Sequence, residues 1–318
     1  MQNKILELLK KKQGYVSGEE ISQHLKISRQ ALWKHIQELK ESGYDITAVP
    51  HLGYQLVSLP DRLFAHEITY KLCTRFVGKN IHYFDEVSST MDIATQLGMQ
   101  GSPEGTLVVA ETQSKGRGRL GRHWISPKYK GIYLSIILRP KISPTQASLI
   151  TLLSAVSICE AVKAITGLEA NIKWPNDILL GNKKLGGILT ELSAEMDAVR
   201  FVIVGIGLNV NNSKGSLLPA ATSFKEQRNE PVSRLELLQE ILRRLEANYL
   251  LLIEGKSQVI VDAWRRYATT LGRRVKIACQ NRQLEGQAID IDANGGLLVR
   301  KDSGLIEKIM SGDVMHCR

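Results

Sequence analysis

Between residues 116 and 122 three glycines alternate with three arginines in "GRGRLGR", followed by His123 and Trp124. Arg117 and Arg119 offer planar guanidinium groups that pair with a carboxylate or phosphate through two parallel hydrogen bonds. Gly116, Gly118 and Gly121 permit positive φ and let the backbone approach a ligand. Two unit charges about 4 Å apart in partly screened surroundings interact by roughly 4 kcal/mol. That is enough to order a loop over an anion and exclude water from it. The loop lies between two apolar, β-rich runs, "TLVVA" and "GIYLSIIL", so both of its ends are fixed. A solvated turn would not need this composition, and an RGG-type nucleic-acid arm would be long and repetitive. The ligand loop therefore ranks first, the turn second and the arm third.

Three further segments carry polar groups beside glycines or turns. "KWPNDILL" (173–180) closes a strand with a Pro-Asn-Asp turn. It is either only a turn, or Asn176 and Asp177 organise a polar site or a metal-bound phosphate. "NKKLGGILTEL" (182–192) puts Lys183 and Lys184 just before Gly186 and Gly187. A lysine pair is usually surface; beside two glycines and a strand it can reach a carboxylate or phosphate. "GIGLNVN" (205–211) brings Asn209 to the end of a buried strand. Each signal is weak alone. Four polar segments in one domain, each beside a strand, point to one cleft. No G-x-x-x-x-G-K-[ST] loop is present, since "EGKS" at 254–257 lacks the upstream glycine, and "GIGLN" is not a dinucleotide fingerprint.

These segments need a scaffold. Short β-rich runs such as "FVIVGIGLNV" mix with a long apolar helix, "SLITLLSAVSICEAVKAIT", without strict β-α-β alternation. That pattern predicts an α+β, multidomain chain whose core sheet is mixed or antiparallel. Ahead of it, residues 4–12 read as a helix. Ser17 and Glu20 form a capping box that opens a second, and Ser28 caps a third. Ala31, Leu32, His35, Ile36 and Leu39 then recur at helical spacing up to Gly43. "YDITAVPHLGYQLV" reads as two strands around residues 50–53. Two capped helices and a wing make a winged helix-turn-helix over residues 1–60. Ser28, Arg29, Gln30 and Lys34 are its candidate DNA contacts. The alternative, a small packing module, gains from the near-neutral balance of residues 1–60, eight Lys and Arg against six Asp and Glu. "SLPDR" (58–62) is the linker; 61–270 is the central domain. Residues 271–318, strands with turns at "DANGG" and "DSG", form a C-terminal SH3-like β-barrel.

The formal net charge of +10 over 318 residues favours anionic partners without naming one. Cys73, Cys159, Cys279 and Cys317 form no C-x-x-C pair, which disfavours a zinc ribbon or disulfide framework. The start has no signal-peptide pattern and the longest apolar run is too short for a membrane span. The expected setting is cytoplasmic, with no membrane partner.

"EVSSTMDIA" (86–94), "GRGRLGRHW" (116–124), "KWPNDI" (173–178), "KLGGILTEL" (184–192) and "GIGLNVN" (205–211) occur in the order found in biotin–protein ligases. With its N-terminal module, nearly the whole chain resembles the bifunctional biotin ligase and biotin-operon repressor family. The resemblance implies a central mixed α/β ligase domain, with ATP and Mg2+ as cofactors and biotin as substrate. Biotinyl-5′-AMP would form first, and a lysine of biotin carboxyl carrier protein would then take the biotin. Lys184 and Arg119 match the catalytic positions. Ser89, Thr90, Met91, Gln113, Arg117, Gly118, Arg119, Lys184 and Asn209 match biotin- and adenylate-binding positions, Asn209 lying near nucleotide and metal; no metal ligand is assigned. Met91 stands where some members have asparagine, so a side-chain hydrogen bond is lost there. Residues 211–223 resemble the loop that closes over adenosine. An adenylate-bound homodimer would bind operator DNA. Rival readings are a ligase with an idle DNA module, a non-catalytic ligand-sensing repressor, and a lipoate ligase.

Overall fold

The computed structural model describes residues 1–12, 14–195, 198–279 and 282–316. The chain divides into two compact units, Met1–Arg62 and Leu63–Arg318.

In the first unit α1 (Gln2–Lys11), α2 (Gly18–Leu25) and α3 (Arg29–Glu41) precede a hairpin of β1 (Asp45–Val49) and β2 (Gly53–Ser58). The two serine caps are made: Ser17 accepts from the Glu20 amide and Ser28 from the Ala31 amide. Each satisfies an amide that the helix itself leaves free. Leu32, Ile36 and Leu39 form the buried stripe of α3, with Ile5, Leu6, Leu9 and Ile21 opposite. Val16 exchanges two backbone hydrogen bonds with Tyr54, tying the wing to the entry of α2. Gly53 is required there. At φ +107° a Cβ would sit 2.1 Å from the Val16 carbonyl. The predicted winged helix-turn-helix is thus the observed fold of this unit.

The second unit begins with α4 (Ala65–Thr69), β3 (Ile81–Phe84), α5 (Thr90–Met99), β4 (Leu107–Ala110) and β5 (Gly131–Leu138). The long helix α6 (Ser148–Thr166) follows. Then come β6 (Ala170–Lys173), β7 (Asp177–Leu180), β8 (Lys183–Glu195) and β9 (Ala198–Asn209). Strands β3 to β9 form one sheet in the order β3-β4-β5-β9-β8-β7-β6. Only the β3–β4 pair is parallel, so the sheet is mixed as expected. One face is covered by α6 with α8 (Arg234–Ile253) and α9 (Ser257–Tyr267), which follow the short α7 (Phe224–Arg228). Helix α6 is long and apolar enough to cross a membrane by composition alone, yet 67% of that stretch is buried in the domain. It is a core helix.

After these helices come β10 (Arg274–Cys279), β11 (Arg282–Ile291), β12 (Leu297–Arg300), β13 (Ile306–Ile309) and β14 (Asp313–His316). They form an antiparallel sheet in the order β13-β12-β11-β10-β14. The expected closed barrel is not found: among the described residues β13 and β14 are edges that do not pair. A bulge between Ala288 and Asp290 bends β11. The sheet's apolar face, with Val275, Ile277, Ala288, Leu297 and Val299, joins the core of the central domain. Cys73 and Cys159 are free thiols; Cys317 lies outside the described residues.

Candidate active site

The four polar segments meet on the other face of the large sheet. They line one cavity of about 540 Å³. Strands β8 and β9 supply its floor, where Gly187 pairs with Gly207 and Gly186 with Leu208. The indole of Trp124 lies across this glycine pair. A Cβ on Gly207 would come within 2.6 Å of the ring, so only glycine admits it there. The indole N–H is buried without a hydrogen-bond partner in the protein, a donor suited to a ligand acceptor.

One end of the cavity is neutral. Thr90 opens α5, and its amide and hydroxyl both donate to Gln113 Oε1, at 2.8 and 3.1 Å. Gln113 Nε2 donates to Ser126, and Ser135 donates to the Thr90 hydroxyl. This chain of hydrogen bonds fixes which way each polar group points. Met91 lines the cavity and packs with Ala94, Val108, Ile137, Phe201 and Ile203 beneath it. Its thioether lies against Gly205, giving an apolar wall where an asparagine would give an amide. Ser89 is not brought to the cavity surface. It is fully buried as the N-cap residue of α5, and its hydroxyl makes no hydrogen bond.

The other end is cationic. Arg117, Arg119, Arg122, Lys173 and Lys184 line it, against the carboxylates of Asp177 and Asp313. Lys184 Nζ lies 2.6 Å from Asp177 Oδ1 and 5.7 Å from the centre of the Trp124 ring. Its backbone is pinned on both sides, by the Ala220 carbonyl and the Thr222 amide. Asn176 turns both ends of its amide to use: Nδ2 donates to the Ile188 carbonyl and Oδ1 accepts from Arg119 at 3.0 Å. Arg119 also donates to the Gly312 carbonyl, while Arg122 pairs with Asp313. Arg117 pairs with Asp92 and Glu191, at 2.6 and 3.5 Å. The loop is therefore held by three sets of protein acceptors. Burial draws the Arg119 guanidinium and the Lys173 ammonium below their ordinary pKa values. Asp177 opposes that shift in both, and neighbouring cations add to it. An anion placed among these groups would relieve the crowding.

Asn209 is nearly buried and donates to the Thr222 carbonyl, at the edge where Ser216, Leu217 and Leu218 face the cavity. Gly118 lies within the loop, its amide bonded to the Arg122 carbonyl. Of the sequence candidates, Thr90, Met91, Gln113, Arg117, Gly118, Arg119, Lys184 and Asn209 converge on one cavity, and Ser89 does not. Asn176 and Asp177, the polar pair of the "KWPND" turn, line it too, and Trp124 and Lys173 join them. The glycines 187 and 207 and the "KWPND" turn were their signals. Nothing local foretold Gly312 and Asp313, which arrive from the distant start of β14 and the residue before it.

A cavity with an apolar, hydrogen-bonded end and a crowded cationic end suits a molecule with an uncharged, mostly apolar body that carries an acid joined to a phosphate. Residues 83–209 match the family model of the biotin/lipoate A/B protein ligases. Residues 1–55 match a helix-turn-helix domain and 270–316 the biotin protein ligase C-terminal domain. A bifunctional ligase/repressor BirA of Bacillus spizizenii is 41% identical over 94% of this chain and 93% of its own length. The chain belongs to the biotin–protein ligase family. Within that family, the bifunctional ligase/repressor BirA of Escherichia coli is 29% identical over 94% of the chain and 92% of its own. Among solved biotin–protein ligases, that of Aquifex aeolicus in complex with biotin and ATP superposes with a TM-score of 0.65 at 31% identity. It covers 76% of this chain and 99% of that one.

Proposed function

We propose that the protein joins biotin to ATP as biotinyl-5′-AMP, releasing pyrophosphate, and passes the biotinyl group to a lysine of biotin carboxyl carrier protein. A biotin carboxylate oxygen attacks the α-phosphorus and the bond to pyrophosphate breaks. The acceptor amine then attacks the acyl carbon, and AMP leaves with the bonding electrons. The observation that carries this reading is the single cavity in which an apolar, hydrogen-bonded end adjoins five cationic side chains. Thr90, Gln113 and the Trp124 N–H orient the ring system of biotin, and Met91 supplies an apolar wall. Lys184 stands between the carboxylate and the α-phosphate, donating to both as charge moves onto the phosphoryl oxygens. Arg117, Gly118 and Arg119 close over the mixed anhydride and keep water from it. Asn209 and residues 211–223 flank the nucleotide. Magnesium brought in with ATP would neutralise phosphate charge, with Asn209 nearby. Among the described residues no group of three or more His, Cys, Asp or Glu side chains forms a metal cage. The ion would be held chiefly by the phosphates and water.

The adenylate-bound form dimerises and represses the biotin operon from the cytoplasm. Arg29, Gln30 and Lys34 are exposed on α3 for this purpose, with Ser28 at its N-terminus. Arg29 is paired with Glu19, but both are exposed and the pair is weak. The five-stranded C-terminal sheet is an SH3-like unit opened between β13 and β14.

Pyrophosphate release with Mg-ATP and either biotin or lipoate tests the ligase, followed by a gel shift on the biotin-operon promoter. Release with biotin alone supports the reading, and release with lipoate alone overturns it. An adenylate-dependent shift supports repression, and release without a shift leaves an idle DNA module. Arg119→Gly removes two charge-assisted contacts of the loop, worth about 1.5–3 kcal/mol each. Escape of adenylate rises on the order of 100-fold or more, measured as biotin on bystander lysines; undiminished retention removes Arg119 from the clamp. The double substitution Arg29→Ala with Lys34→Ala lowers the slope of log affinity against log salt by about 2 and leaves ligation intact. An unchanged slope removes both residues from the phosphate contacts.

A further inference from the structure

Among the described residues Trp33 is neither a core residue nor a partner in any side-chain hydrogen bond. It is 58% exposed on α3, whereas Trp174 and Trp264 are buried and Trp124 lies across the cavity floor. The buried stripe of α3 is Leu32, Ile36 and Leu39, so Trp33 points away from the unit's core. Three and four residues before it stand Gln30 and Arg29, one helical turn away, and Lys34 follows; all three are exposed. The indole therefore sits among the side chains that face a major groove in a helix-turn-helix.

We infer that Trp33 is a specificity-determining residue that reads thymine in the operator by apolar contact with its 5-methyl group. The inference rests on the DNA-binding reading of residues 1–62. The neighbours decide between partners. An apolar protein surface that covered Trp33 would also strip water from Arg29 and Lys34, which nothing apolar could compensate. A DNA groove takes both at once: phosphates and guanine edges accept from the cations, and the thymine methyl is an apolar knob on the groove floor. The salt-dependent part of binding belongs to the cations. Trp33 contributes a term that depends on sequence and not on salt.

The test uses the full chain with biotin, ATP and magnesium, and a duplex selected from a random-sequence pool by the unaltered protein. Each thymine is replaced in turn by deoxyuridine, which removes only the methyl group. At one thymine per half-site the replacement weakens binding by the unaltered protein about three- to tenfold. Trp33→Ala loses affinity for the thymine duplex by a similar factor, is indifferent to the replacement, and keeps the salt slope. Trp33→Phe retains part of the discrimination. Because the side chain is exposed, the variant folds; unchanged pyrophosphate release and a cooperative melt check this. If Trp33→Ala binds normally, or still feels every methyl, the inference is wrong. If the variant alters self-association without DNA and leaves the methyl pattern intact, Trp33 serves contact between copies and the inference is likewise overturned. Failure of the unaltered protein to select any sequence would instead sink the DNA reading itself, and the inference with it.

Discussion

Lys184→Ala slows adenylate formation by about 100- to 1,000-fold, the range for losing one well-placed donor to a developing oxyanion. Biotin-dependent exchange of pyrophosphate into ATP is the measurement. Two losses coincide in this variant. The ammonium that meets the carboxylate and phosphate disappears, and the carboxylate it neutralised, 2.6 Å away on Asp177, is left facing incoming anions. A second substitution separates them. Asp177→Asn in the Lys184→Ala background removes the repulsion but not the missing donor, so binding of ATP recovers while the exchange rate stays low. Lys184→Arg does not rescue, since Nζ stands over the Trp124 ring with its backbone fixed on both sides. A planar fork does not fit the position of a point charge. Near-normal exchange by Lys184→Ala would falsify its role.

Arg234→Met destabilises the second unit by about 3–5 kcal/mol, the usual cost of leaving a buried charge without its partner. In a domain of this size that lowers Tm by roughly 10 °C. Arg234 and Glu111 are both fully buried, 2.7 Å apart. Arg234 also donates to the Gly131 carbonyl, and Glu111 accepts from the Leu63 amide at 2.7 Å. The pair joins the start of α8 to the end of β4, two residues before Gln113. Adding Glu111→Leu to Arg234→Met recovers much of the loss, because two apolar groups replace two charges. Thermal melts of the single and double variants give the coupling. Equal losses that simply add would mean the two charges do not stabilise one another.

How far the sequence was legible follows from the range of each interaction. The caps at Ser17 and Ser28 act within a few residues, and local pattern found them; the clash that demands glycine at 53 comes from Val16, far along the chain. The ligand loop was visible because glycines and arginines alternate in it, and its convergence with Lys184 and Asn209 came from repeated motifs beside strands. The counterions of that loop were not visible. Asp92 is 25 residues from Arg117, and Asp313 is 191 from Arg122, so only the assembled sheets bring them together. Ser89 was named only through the family resemblance, and its burial was not legible because what covers it is tertiary. Closure of the barrel was not legible, because short strands and turns fix a meander but not whether its edges meet.

The three acceptor sets that hold the arginine loop have a thermodynamic consequence. Arg117, Arg119 and Arg122 are not free cations awaiting a ligand; each already has a carboxylate or carbonyl partner. Ligand binding is then an exchange of one acceptor for another, and the number of ion pairs changes little. Biotin affinity should vary less with ionic strength than five lining cations suggest, since few counterions are released. The same exchange sets a threshold: a neutral analogue such as biotin amide competes poorly for guanidinium groups already satisfied, and should bind far more weakly than the acid. Selection for the acid arises before any chemistry, from what the protein must give up to accept it.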